Sequence, residues 1–149
     1  ILTMEKLRAK LRKNSGFTLV EMLIVVAIIA ILIMVSMPMM SNALEKAREG
    51  VDAANERDAK SLALISYLTV TSNTDANYVG IVNGTGGSAY YRVDDTVGTL
   101  VQDKPTNGYG QGTKIGDVTE DRNGCVIKVT VTVTDGVESV STAWEKVGG

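Results

Sequence analysis

Groups able to do chemistry are sparse in this chain. There is no histidine among its 149 residues and one cysteine, Cys125. The commonest general base and metal ligand is therefore missing, and one thiol cannot close an intrachain disulfide. A catalyst would have to work with carboxylates or lysines, and no spacing suggests such a pair. Asp117, Glu120, Asp121 and Asn123 lie close together. Oxygen ligands at that density are weak candidates for calcium, but no calcium-loop pattern is met, and solvated turn charges are the better reading. Residues 84–87 are glycine-rich without the Gly-Lys-Ser/Thr ending of a phosphate loop. Asn83-Gly84-Thr85 reads as a turn before it reads as a glycosylation acceptor. Tyr90, Tyr91 and Tyr109 are too scattered for a base-stacking platform. No enzyme activity, metal, cofactor or nucleic-acid partner is expected.

The informative spacing is near the N-terminus, in Lys13-Asn14-Ser15-Gly16-Phe17-Thr18-Leu19-Val20-Glu21. Lys6, Arg8, Lys10, Arg12 and Lys13 stand before it against Glu5, a balance of +4. With −2 for the whole chain, the remainder carries −6. A basic head holds an N-terminus on the cytoplasmic face of a membrane; an acidic body argues against nucleic acid. Residues 17–40 then run FTLVEMLIVVAIIAILIMVSMPMM, apolar but for Thr18, Glu21 and Ser36. That length crosses a bilayer as a helix. Ten Leu, Ile or Val residues between Met22 and Val35 contribute about −3 to −6 kcal/mol to insertion, against roughly +3 or less for the carboxylate of Glu21 near the end of the run.

The elements that position these groups follow. Leu44, Ala47, Val51 and Ala54 make an amphipathic stripe, facing either another subunit or the chain's own core. Arg48 with Asp52 and Glu56 with Lys60 are spaced as ion pairs. Leu62, Ala63, Leu64, Ile65, Tyr67 and Leu68 are apolar on most sides and call for a covering sheet. Pro38 is expected to kink or break the helix, and Asn42 with Glu45 could cap a restart. Unbroken, a helix over residues 17–72 would run about 84 Å. From residue 125 the chain alternates as CVIKVTVTVT, a half-buried strand with Cys125, a buried small residue, at its head. Asp135-Gly136 is a two-residue turn; the return over residues 137–144 would set Val131 opposite Val140 and Ile127 opposite Trp144. Residues 89–93 and 97–102 read as strands, and residues 104–114 as a loop.

The stretch from Lys13 to Glu21, with the basic leader, the apolar run and Pro38, resembles the class III signal of type IV pilins and of the pseudopilins of type II secretion and competence systems. The resemblance covers residues 4–68. It implies that a prepilin peptidase cuts between Gly16 and Phe17 and methylates the new Phe17 amine, leaving a subunit of 133 residues. It further implies that an assembly platform and its ATPase draw the subunit from the bacterial membrane into a helical filament. The physical logic is separable. Gly16 lets a protease approach closely. The Phe17 amine of one subunit can pair with Glu21 of the next, because an unpaired carboxylate among apolar helices is costly. Two competing readings remain: a plain signal anchor, and a secretory signal cut after Ala43 at Ser41-Asn42-Ala43.

The expected fold is α+β, a pilin-like lollipop whose long N-terminal helix packs on a small antiparallel sheet. Its parts are a leader (1–16), a transmembrane and polymerisation helix (17–40), an amphipathic second half (41–72) and a β domain (73–149). The expected function is a pilus subunit for adhesion, twitching motility or DNA uptake; a pseudopilin and a non-polymerising anchored module are the alternatives.

Overall fold

A computed structural model describes residues 16–94, 97–112 and 122–148. By contact the chain forms two units, residues 1–42 and 43–149.

One helix, α1 (Leu19–Thr69, 51 residues), contributes to both. It opens where Thr18 caps it and ends two residues after Tyr67, the last buried side chain on it. Pro38 lies inside it, and no new helix begins at Asn42. A proline removes one N–H from the ladder, here the donor to Met34, and the flanking aliphatic turns carry the helix across the gap. Ser36 and Ser41 turn their hydroxyls back onto the carbonyls of Leu32 and Pro38, at 2.6 and 3.0 Å. In the first unit every described residue from Gly16 to Asn42 is exposed.

In the second unit, Asp52, Ala59, Ala63, Ser66 and Tyr67 are the buried face of α1. Steps of three and four keep them in line, and the two alanines let the helix backbone come close to the sheet. This is not the stripe expected from apolarity. Leu44 and Val51 are 50% and 44% exposed, and Ala47 and Ala54 are exposed as well, so that stripe is not part of the chain's own core. The sheet also covers less of residues 62–68 than expected. Ala63 and Tyr67 are buried, Leu62 is half-buried, and Leu64, Ile65 and Leu68 stay in the open, because one sheet reaches one side of a helix.

The sheet has β1 (Ile81–Val82), β2 (Gly86–Asp94), β3 (Val97–Val101), β4 (Cys125–Thr134) and β5 (Val137–Lys146). All pairings are antiparallel; β1 and β3 share one edge of β2, and β4 and β5 follow on its other side. The hairpin register holds as read from sequence: Val131 faces Val140 and Ile127 faces Trp144. Asp135 and Gly136 have φ of 53° and 77°, the two positive values of a type I′ turn. β1 was not foreseen; two residues are too few for a periodic signal. Cys125, Ile127, Val129 and Val131 are buried toward α1 as the alternation required, and Val126 is buried too. Two clusters form the core. Ala63 and Tyr67 meet Ile81, Ala89, Val129 and Val131; Ala59 meets Tyr91 and Ile127, with Trp144 and Tyr109 against them. The fold is thus the expected α+β arrangement of a helix on a small antiparallel sheet.

Candidate processing and assembly site

The site begins at the last residues before α1. Gly16, Phe17 and Thr18 are non-helical. A Cβ built on Gly16 would meet nothing within 4 Å, so the chain's own packing gives no reason for glycine there. Phe17 is 83% exposed.

Thr18 and Glu21 form a reciprocal cap. The Thr18 amide donates to Glu21 Oε2 at 2.7 Å, and the Thr18 hydroxyl donates to the same oxygen at 3.0 Å. The Glu21 amide donates back to Thr18 Oγ1 at 3.3 Å. The first helical bond runs from the Met22 amide to the Thr18 carbonyl at 3.2 Å. This is a capping box, and it fixes where the helix starts. Thr18 was not singled out from the sequence; its signal was the spacing of three to Glu21, the same spacing that drew attention instead to Asn42 and Glu45. Those two lie inside α1 and cap nothing.

Past the cap, Leu19 to Met40 presents aliphatic and methionine side chains on all sides. Among the described residues one helix, α1, is long and apolar enough to cross a membrane. Its N-terminal half is exposed, with no cover among the described residues. The basic residues Lys6, Arg8, Lys10, Arg12 and Lys13 lie outside the described residues, as do Asp117, Glu120 and Asp121. Among the described residues no group of acids is placed to hold a metal ion.

A second polar constellation sits in the other unit, where the expected helix ion pairs do not form. Asp52 is fully buried. Its carboxylate accepts the Gln111 amide at 3.0 Å and the Gly112 amide at 2.7 Å. Glu56 accepts Trp144 Nε1 at 2.6 Å and lies 3.3 Å from Arg122 Nη1. Arg48 instead meets Glu45 at 3.7 Å, both partly in solvent. Buried N–H groups and an indole outbid exposed lysine or arginine partners, since a buried donor left unpaired costs more than a surface ion pair returns. Both acids thus hold Gly112 and Arg122, and the Arg122 amide donates to the Gly112 carbonyl at 2.9 Å. Beside them Tyr109 donates to the Tyr91 carbonyl at 2.6 Å and accepts the Ile127 amide at 2.9 Å. Burial pushes the Tyr109 phenol well above its ordinary range, and burial, followed by nearby Asp58, raises Tyr91.

Comparison with known proteins bears on the first site. Residues 11–37 match the family model described as the prokaryotic N-terminal methylation motif. A relative from Clostridium perfringens (strain 13 / Type A), "Prepilin peptidase-dependent protein A", is 35% identical over 111 residues, covering 66% of this chain and 76% of the relative. No solved structure matches. The chain belongs to the type IV pilin-like family.

Proposed function

We propose that the chain is the precursor of a filament subunit, a type IV pilin. It is cut between Gly16 and Phe17, methylated at Phe17, held in the bacterial membrane by residues 17–40, and then stacked into an extracellular helical filament. The observation that carries this reading is the uncovered helix. Residues 17–40 are helical from Leu19 and exposed throughout, so water cannot be their resting environment. Lipid covers them before assembly and like helices cover them after it. The Clostridium relative is named for its dependence on a prepilin peptidase; the same processing is proposed for this chain. Gly16 supports it, because its missing Cβ serves nothing in the chain's own fold and suits a protease that grips extended backbone.

Glu21 sets the register. In the lone subunit its carboxylate rests on Thr18. In the stack it pairs with the Phe17 amine of the neighbouring copy, one charge neutralising another in apolar surroundings. Adhesion, motility or DNA uptake would be the work of the assembled pilus. The assembly platform, its ATPase and the prepilin peptidase are the partners this reading requires; no step calls for an enzyme activity of the subunit itself. A pseudopilin of a secretion or competence system uses the same parts and differs in the length of the filament. Mass spectrometry of the mature protein tests the reading. N-methylated Phe17 is expected at the N-terminus; Leu44 there, or an uncut leader, would overturn it.

A further inference from the structure

The sheet has two open edges that face away from each other. Among the described residues β3 pairs only with β2, and β5 only with β4. Among the described residues no backbone hydrogen bond reaches the outer side of either strand. Such edges carry rows of unmet N–H and C=O groups ready for another strand.

Their directions are complementary. β3 is antiparallel to β2, β2 to β4 and β4 to β5, so β3 and β5 run in opposite senses. A second copy displaced sideways without turning over therefore lays its β5 beside β3 as an antiparallel pair, the arrangement with two-residue spacing matched on both sides. The rows also align. Leu100 lies across from Tyr91, Tyr91 from Ile127, and Ile127 from Trp144. Two residues on, Gly98 and Lys146 share a level. Gly98 borders a recess with Tyr91 and the exposed carboxylate of Asp58, and Lys146 is exposed at the end of β5. Opposite charges thus meet at the same height. Further along β3 the recess continues as an apolar groove against α1, lined by Leu62, Ile65, Ser66 and Leu100. The Ser66 hydroxyl is buried there with no hydrogen-bond partner among the described residues, in a residue only 8% exposed. The face of β5 turned toward α1 presents Val140 and Thr142, both half-buried, a methyl surface and a hydroxyl for that groove.

We propose that β3 of one subunit pairs with β5 of a like-oriented neighbour, so that a β-sheet seam runs from subunit to subunit around the filament. The inference rests on the filament reading above. The contact joins two different surfaces and does not close on itself, the kind of interface that propagates helically. β3 has five residues, so the seam adds to helix packing and does not replace it.

Disulfide trapping in intact filaments tests it. Thr99→Cys and Val101→Cys on β3 would each be combined with Ser141→Cys and with Ala143→Cys on β5. All four positions lie on the face turned away from α1, and the native Cys125 is buried. A disulfide forms only with Cα atoms about 4.4–6.8 Å apart. After mild oxidation of sheared filaments, at least one combination should convert most monomer into a ladder of dimers and longer chains, and the single variants should give none. Monomer alone from all four combinations in filaments of normal yield would overturn the seam and leave the filament reading standing. No filaments from the unmodified chain would overturn both. A second measurement needs no cysteine. Asp58→Lys should lower filament yield several-fold, and Lys146→Glu in the same chain should restore it; equal yields in all three chains would overturn the pairing.

Discussion

Of the single residues Glu21 matters most to the proposed assembly, because its carboxylate takes two successive partners. Thr18 holds it in the lone subunit; a neighbour's Phe17 amine holds it in the proposed filament. The two roles separate by substitution. Thr18→Ala removes the cap, at about 1 kcal/mol, and keeps the charge, so filaments should still form at reduced yield. Glu21→Gln keeps an acceptor for the Thr18 amide and loses the charge. It should insert in the membrane normally and yield few or no filaments, counted by electron microscopy of sheared cells. Normal filament counts from Glu21→Gln would contradict the register role. Gly16 is the other decisive residue. A Cβ there would meet nothing within 4 Å, so Gly16→Ala should leave folding unchanged and slow the proposed cleavage after residue 16, visible as a heavier band on a gel.

At the scale of elements, the hairpin from Cys125 to Lys146 was legible down to its register. A period of two and an Asp-Gly turn leave one way to pair it. The apolar helix was legible too, from composition and length, but its cap at Thr18 was not. The interior of the second unit was not. Arg48, Asp52, Glu56 and Lys60 all satisfy the spacing of helix ion pairs, and spacing cannot say which acid turns inward. The answer depends on Gln111, Gly112, Trp144 and Arg122, roughly 60 to 90 residues away in the chain. Likewise Ala47 and Leu44 look as fit for a core as Ala59 and Ala63, yet only the second pair lies beneath strands. Asp52→Ala should strand the buried Gly112 amide and the part-buried Gln111 amide and cost about 1–3 kcal/mol. It should be seen as a lower urea midpoint with unchanged slope for the full chain in detergent, and Asp52→Asn, which keeps an acceptor, should cost less. Gly98→Ala belongs at this scale as well. Its new methyl would overlap the Tyr91 hydroxyl, so β3 or Tyr91 must move, and the same urea measurement should register the loss.

Across the whole molecule, two features govern behaviour in solution. The first is a set of buried phenols. Tyr109 and Tyr91 both titrate above their ordinary value near 10 in the folded chain. A raised folded value means the native state holds the proton more tightly than the unfolded state does. Their contribution is therefore whole below about pH 10 and is lost as pH climbs beyond it. Stability should be level through neutral pH and fall above pH 10, and Tyr109→Phe should flatten that fall while lowering stability at pH 7 through two lost hydrogen bonds. The second feature is the uncovered apolar helix, through which the proposed function ties membrane residence and polymerisation to one physical need. Helical reconstruction of filaments sheared from the source cell tests this most directly. Residues 17–35 of neighbouring copies should pack against one another in the filament interior, with each Glu21 carboxylate within about 4 Å of a neighbour's Phe17 amine. A filament in which Glu21 faces open solvent with no cation beside it, or in which residues 17–40 have been removed, would contradict it.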